Sequence, residues 1–295
     1  MIIALTGSSG SIGRELTPFL SALGHQVIII SSSIPSNNID CFTYLQLQDK
    51  LIPTHVDLFI HLASLNAGLS MKNIQDEIKL TEQVLNSLPA LKCSKLIFFS
   101  TSKVYGDNCL DFKIHDELSE LEPVCSYGKA KKLCEELIYK KSESLQVNTL
   151  IFRLPPVLDY SKSGNVGRLI KIASKDRQML SFAHGETNRR SFISFNNIKT
   201  VFEYTLNNLS LFKKNEIYNL SDDGSISLNE LLRAGGATKI YSLPYLFGKI
   251  ILKLPILKNI FIKLYGNFIL ENTKIKNDMS IKLETTAKSL PIMYK

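Results

Sequence analysis

The chain opens on a short apolar run at 2–6, and similar β-branched runs return at 26–30, 56–62, 95–100 and 148–152. Between them, over 12–23, 74–88 and 127–142, apolar residues recur at helical spacing. Runs that are apolar throughout suit strands covered on both faces, and their alternation with helices predicts βαβ units. The expected fold is α/β, a doubly wound parallel sheet. After Arg153 the alternation loosens: Pro155-Pro156 and a loop over 164–167 precede a helix, and a strand-like run follows at 190–195. These breaks predict a first domain over 1–154, with a returning segment near 190–220. A smaller lobe is expected over 155–189 and 221–295. No internal repeat is visible, which excludes a solenoid.

Composition narrows the class. With 295 residues, 44% of them hydrophobic, the chain can bury a large core, so disorder is not expected. A net charge of +8 would favour an anionic partner. Lysines and arginines are nevertheless scattered, without a basic block interleaved with aromatics, and nucleic-acid binding is not expected. Five cysteines, an odd number without a C-x-x-C pair, suggest neither a disulfide framework nor a zinc site, and no metal is expected. A reducing cytoplasm fits them best. The start lacks the basic segment and long apolar core of a secretory signal. The most apolar stretch, 243–270, is interrupted by Lys249, Lys253, Lys258 and Lys263 and broken by Pro255, so a spanning helix is not expected. Two amphipathic helices packed on the body of the protein are expected instead, with docking on a membrane surface as the alternative.

Candidate chemistry begins directly after the first strand, at Thr6-Gly7-Ser8-Ser9-Gly10-Ser11-Ile12-Gly13. Glycine clusters are often plain loops. Here a strand precedes and a helix follows, the context that cradles a dinucleotide pyrophosphate. Gly7 would permit the tight turn, Gly10 would let backbone N–H groups approach the phosphates, and Gly13 would allow close helix–strand contact. Ser9, Ser11 and Ile12 complete the loop. At the end of the second strand a carboxylate would grip the ribose of NAD, but the chain reads Ile30-Ser31-Ser32-Ser33. Serines suit a 2′-phosphate, although no arginine stands beside them; the cofactor is NADP or NAD, with NADP favoured.

Tyr127 and Lys131 stand four apart, on one face of a helix. A free phenol titrates near pH 10, and lowering that by roughly 3 units requires about 4 kcal/mol, which a nearby ammonium and a cationic nicotinamide could supply. A tyrosine and a lysine at this spacing occur in many helices. The reading gains force from Ser100-Thr101-Ser102-Lys103 at the end of the fourth long strand, where a hydroxyl can hold a substrate oxygen above the cofactor.

These motifs together resemble the NAD(P)-dependent epimerase/dehydratase family of extended short-chain dehydrogenases/reductases, over nearly the whole chain. The resemblance implies a catalytic triad of Thr101, Tyr127 and Lys131. It also implies proton exchange between the tyrosine and a sugar hydroxyl, usually at C4, as hydride passes between that carbon and the nicotinamide. Lys131 would also bind the nicotinamide ribose. The strand Val56-Asp57-Leu58-Phe59-Ile60-His61-Leu62-Ala63 resembles the family strand that reaches the cofactor, which assigns Leu62 and Ala63 to its site and leaves His61 structural. Ser102-Lys103 stand where the dehydratases carry Asp-Glu, so dehydration is not expected. Asn188-Arg189-Arg190-Ser191 is similar to the stretch of 4-ketoreductases and 4-epimerases whose arginine binds the substrate diphosphate, here Arg190. Ser102, Lys103, Asn165 and Arg168 are further candidate substrate contacts. Gly266-Asn267-Phe268 and the residues after it resemble the tail of UDP-4-keto-6-deoxy-N-acetylhexosamine reductases.

Three departures stand out. Glu77 occupies the place of a family asparagine ahead of Thr81, Leu158-Asp159-Tyr160 replaces Tyr-Gly-Pro, and Gln46 stands where an acidic residue on the adenine side is expected. The leading expectation is a nucleotide-sugar 4-ketoreductase in cell-surface polysaccharide precursor synthesis, with a 4-epimerase as the alternative and a non-catalytic dinucleotide-binding regulator as a third. A homodimer is implied by the resemblance alone.

Overall fold

The computed structural model describes residues 1–32, 41–48, 55–65, 73–158, 164–175, 178–209, 212 and 215–294. Two compact units emerge. The first comprises Met1–Val104, Leu121–Arg153 and Glu203–Tyr218; the second comprises Tyr105–Glu120, Leu154–Phe202 and Asn219–Lys295. The segment Tyr105–Glu120, expected within 1–154, thus clusters with the second unit.

A seven-stranded parallel sheet is the frame of the first unit. Its order is Glu216–Asn219, Asn148–Leu154, Lys95–Thr101, Leu58–His61, Ile2–Thr6, Gln26–Ser31 and Cys41–Thr43. The doubly wound α/β expectation holds. Helices Ser11–Ala22, Ile74–Ser87 and Ser126–Ser142 alternate with these strands. The inner strands are apolar and almost wholly buried because both faces are covered, by side chains such as Leu16 and Leu20 from one helix and Val84, Leu85 and Ile138 from the others.

The second unit is built from three two-stranded pieces. Val157–Leu158 pairs with Ile193–Ser194, Gln178–Phe182 with Lys239–Leu243, and Ile114–His115 with Ile269–Leu270. Its core gathers Leu158, Ile170, Phe192, Leu231, Phe261 and Tyr265. The run expected as a strand over 190–195 shortens to Ile193–Ser194, and Phe195 already opens a helix, Phe195–Asn207. A distant carboxylate stops the strand: Asp222 Oδ1 accepts from the Ser194 N–H (2.8 Å), the Ser194 hydroxyl (2.9 Å) and Asn197 Nδ2 (2.6 Å). The loop expected over 164–167 is the first turn of the helix Gly164–Lys175. The late apolar stretch forms the two expected helices, Tyr245–Ile251 and Pro255–Tyr265. Among the described residues, no helix is long and apolar enough to cross a membrane.

Candidate active site

Strand register sets the floor of a cleft in the first unit. Thr6 pairs with Ile30 on one side and His61 on the other. Gly7, Ser31 and Leu62, each one residue further, therefore emerge level at the carboxyl edge of the sheet, where the strand order reverses. The cleft they line measures about 290 Å³ and also takes in Ser8, Ser9, Gly10, Ala63, Ser64 and Tyr44.

The glycine loop is shaped by close approach. Gly7 has φ +80°, and a Cβ there would lie 2.6 Å from the Ala63 nitrogen. A Cβ on Gly13 would lie 2.2 Å from the Gly7 carbonyl oxygen, so the helix can begin only against a bare loop. Gly10 caps the helix, its N–H donating to the Gly7 carbonyl at 3.1 Å, while Ser11 and Ile12 form the first turn. A cleft beside a helix N-terminus, closed to side chains at these glycines, suits the pyrophosphate of a dinucleotide.

The far end of the cleft carries Ser31 and Ser32; Ser33 lies outside the described residues. Gln46 is occupied elsewhere. Its Oε1 accepts from the Thr43 N–H at 2.8 Å while Thr43 Oγ1 accepts from the Gln46 N–H at 3.2 Å, a reciprocal cap that starts the helix Tyr44–Gln48.

A buried polar network lies beside the cleft. Lys131 Nζ stands 3.1 Å from Glu77 Oε1, with both side chains only 1% exposed. Glu77 Oε2 accepts from the Leu65 N–H at 2.8 Å. The Lys131 ammonium also lies 4.6 Å from the centre of the Phe98 ring. Burial by itself would lower the Lys131 pKa, but Tyr127 and Glu77 together hold it above the usual lysine value. Tyr127 is shifted upward as well, first by burial, against the pull of Lys131 and with the push of Glu77; its phenol also hydrogen-bonds Ser64. Ser64 thus joins the cleft to the tyrosine.

His61 sits beneath. One ring nitrogen meets Thr6 Oγ1 at 2.7 Å and the other Thr81 Oγ1 at 3.2 Å. Burial, and then the charge of Lys131, lower its pKa to about 3, so the ring is neutral at ordinary pH, in keeping with a structural role.

Thr101 ends its strand and accepts the Lys103 N–H at 3.3 Å; Ser102–Val104 follows as a 3₁₀ turn in which Ser102 is buried. A Cβ on Gly128 would lie 2.4 Å from the Lys103 carbonyl oxygen, so this glycine lets the Tyr127 helix press against that turn. The helix is also fastened from behind. Glu135 pairs with Arg153 (Oε2 to Nη2, 2.7 Å) and accepts the Ser100 hydroxyl, which ties together Lys95–Thr101, Ser126–Ser142 and Asn148–Leu154.

Within the second unit, Arg190 exchanges backbone hydrogen bonds with Ile226, both at 3.0 Å. Its guanidinium donates to the Lys263 carbonyl at 3.3 Å and lies 5.8 Å from the Phe192 ring. Burial lowers its pKa to about 10, which leaves it cationic at neutral pH. The neighbouring motif residues are scaffold: Asn188 Oδ1 accepts from the Leu228 N–H, and Asn267 bridges the Arg189 N–H to the Leu110 carbonyl. Arg168 is exposed on its helix; the Asn165 side chain and all of Asp159 and Tyr160 lie outside the described residues.

The structure thus gathers Gly7, Ser9, Gly10, Ser31, Leu62 and Ala63 around one cleft and couples Tyr127 to Lys131 beside it. Sequence reasoning missed Ser64, Gly128 and the pairing of Glu77 with Lys131. The departure at Glu77 was the one signal for that pair.

Sheet order, register and glycine loop define a dinucleotide-binding protein of the doubly wound α/β class. A family model described as the NAD dependent epimerase/dehydratase family matches residues 3–221, and the chain belongs to that family of NAD-dependent enzymes. Similar solved structures include UDP-N-acetylglucosamine 4-epimerase from Bacillus cereus, at 17% identity and a TM-score of 0.76, covering 100% of this chain and 95% of that one. UDP-glucose 4-epimerase from Thermotoga maritima, with UDP-glucose, follows at 19% identity, a TM-score of 0.72 and coverage of 100% and 97%. UDP-glucuronic acid 4-epimerase from Bacillus cereus, in complex with NAD, gives 20%, 0.69, and coverage of 100% and 96%. At such identities the likeness establishes the fold. A comparison with curated proteins gave no match.

Proposed function

We propose that this protein reduces the 4-keto group of a nucleotide-activated sugar, a UDP-sugar, with Tyr127 as the proton donor. The observation that carries this reading is the Lys131–Glu77 ion pair at 3.1 Å. Burial is the main force that keeps the proton on Tyr127, and Glu77 adds to it by opposing the lysine charge that would otherwise draw that proton away. A phenol that keeps its proton is fitted to deliver it to the carbonyl oxygen as that oxygen gains charge.

Thr101 would hold the same oxygen from the strand end, with Ser102 and Lys103 beside the sugar. Gly7, Ser9, Gly10, Ser11, Ile12 and Gly13 would hold the pyrophosphate, Leu62 and Ala63 the wall of the cleft, and Lys131 the nicotinamide ribose. The dinucleotide, when bound in reduced form, supplies hydride. Ser31, without a carboxylate beside it, favours NADP over NAD. The second unit, Tyr105–Glu120 with Leu154–Phe202 and Asn219–Lys295, would serve as the substrate lobe. Arg190, with Arg168 and Asn165, is assigned there to the diphosphate, because a planar guanidinium matches paired phosphate oxygens. A homodimer acting in the cytoplasm on precursors of a cell-surface polysaccharide belongs to the same reading.

A second reading, 4-epimerase, is favoured by the 4-epimerases among the similar structures. There Tyr127 would act first as a base. The test is to follow reduced-nicotinamide absorbance as the protein meets a UDP-4-keto-6-deoxy-N-acetylhexosamine with NADPH or NADH. Stoichiometric loss of reduced cofactor is expected. No loss, with interconversion of UDP-hexoses on retained NAD, would establish the epimerase instead.

A further inference from the structure

From 231 to 270 the chain contains no aspartate or glutamate, yet it carries Arg233, Lys239, Lys249, Lys253, Lys258 and Lys263. Its middle forms the helices Tyr245–Ile251 and Pro255–Tyr265, joined by a short turn. Both dock through one narrow face. Phe261 and Tyr265 stack edge-on against Phe182, and Gly248 lies so close to the His184 ring that a Cβ would stand 2.5 Å from it.

The outer face should then be polar, and it is not. Ile256 is 81% exposed and Leu246 67% exposed, with Phe247, Ile250, Leu254 and Ile260 also in solvent. Lysines share the same ridges: Leu246, Lys249 and Ile250 follow at helical spacing along the first helix, Lys253 stands in the turn after it, and Ile256, Ile260 and Lys263 follow along the second helix. All four lysines between 249 and 263 are exposed.

Large apolar side chains exposed in this number on two consecutive helices mark an interaction site. Its lysines select the occupant. A second copy seated on the same face would bring two sets of unopposed ammonium groups together, with no carboxylate in the stretch to offset them. Apolar side chains between long cationic ones match the boundary of a bilayer, where the apolar groups enter and the ammonium groups reach anionic headgroups. We propose that the Tyr245–Ile251 and Pro255–Tyr265 helices form a docking surface for an anionic membrane face, on which the protein lies without spanning it.

The test is flotation of the full-length protein with phosphatidylcholine vesicles and with equimolar phosphatidylcholine and phosphatidylglycerol vesicles. Binding to the anionic vesicles is expected, weakened by salt, with the partition falling about fivefold for each of Lys249, Lys253 and Lys263 replaced by Gln. Phe247→Asp combined with Ile256→Asp should abolish binding while leaving thermal stability and turnover unchanged, since both side chains are exposed and lie outside the catalytic machinery. Equal binding to neutral vesicles, or no effect of the lysine changes, would overturn the proposal. So would an absence of flotation, and a dimer by sedimentation that Ile256→Asp dissociates would then assign the face to self-association.

Discussion

Replacing Glu77 by Gln is the sharpest perturbation of the proposed proton donor. The substitution keeps the shape of the side chain and an oxygen to accept from the Leu65 N–H, so what it removes is charge. At 3.1 Å and an effective dielectric of about 20, the pair attracts by about 5 kcal/mol. Both groups are almost wholly buried, and removing one partner of such a pair typically costs about 3–5 kcal/mol because the other charge is left stranded. Urea unfolding should register that loss for Glu77→Gln and a similar one for Lys131→Met. The double variant should recover most of it, since no lone charge then remains. A loss below about 1 kcal/mol, or single losses that simply add in the double variant, would refute the argument. The same variant tests the proton. With Glu77 gone, the groups left facing Tyr127 are Lys131, Ser64 and Cys125, so its phenol should titrate at lower pH than in the parent. The chain has no tryptophan, which leaves phenolate absorbance clean, and Tyr127→Phe supplies the reference. An unchanged or higher titration point would count against the assigned role of Glu77 even if the enzyme proves to be a ketoreductase.

Other outcomes follow from the same geometry. Because the folded state holds His61 at about pKa 3 against an ordinary 6.5, the unfolded chain takes up this proton first as pH falls. Stability is thus fully present above about pH 6.5 and declines toward pH 3 by about 1.4 kcal/mol per pH unit; His61→Asn should flatten that slope in unfolding curves. Gly128→Ala would drive a methyl into the Lys103 carbonyl, so about 1–3 kcal/mol of stability should be lost in urea unfolding, and turnover should fall as the Tyr127 helix is pushed from that turn. Arg190→Ala should weaken UDP binding about ten- to a hundredfold by calorimetry with little effect on the dinucleotide; equal losses would remove the diphosphate assignment.

How much of this was legible depended on the range of the forces involved. The long strands and their helices could be read because burial on both faces leaves an uninterrupted apolar run, and the glycine loop because its constraints lie within a few residues of one another. The strand Ile193–Ser194 was overestimated because Ser194 caps the helix that displaces it, accepting the Asn197 N–H, and Asp222, remote in sequence, holds both residues in place. Edge strand Cys41–Thr43 is too short to leave a pattern. At the site, Tyr127 and Lys131 share a helix and declare themselves, whereas Ser64 and Glu77 reach them from other segments. The two late helices were expected, but not that their outer face would be apolar: periodicity shows that a helix has an apolar side, and only the fold shows where that side points.

The fastening of Glu135 to Arg153 and Ser100 has a consequence for the timing of motion. Opening the helix Ser126–Ser142 alone would strand the buried Arg153 and Glu135 charges, so it and the strands Lys95–Thr101 and Asn148–Leu154 should exchange their amide hydrogens with solvent as one cooperative block. On the timescale of turnover, Tyr127 then behaves as part of the sheet, a fixed post to which the substrate must come.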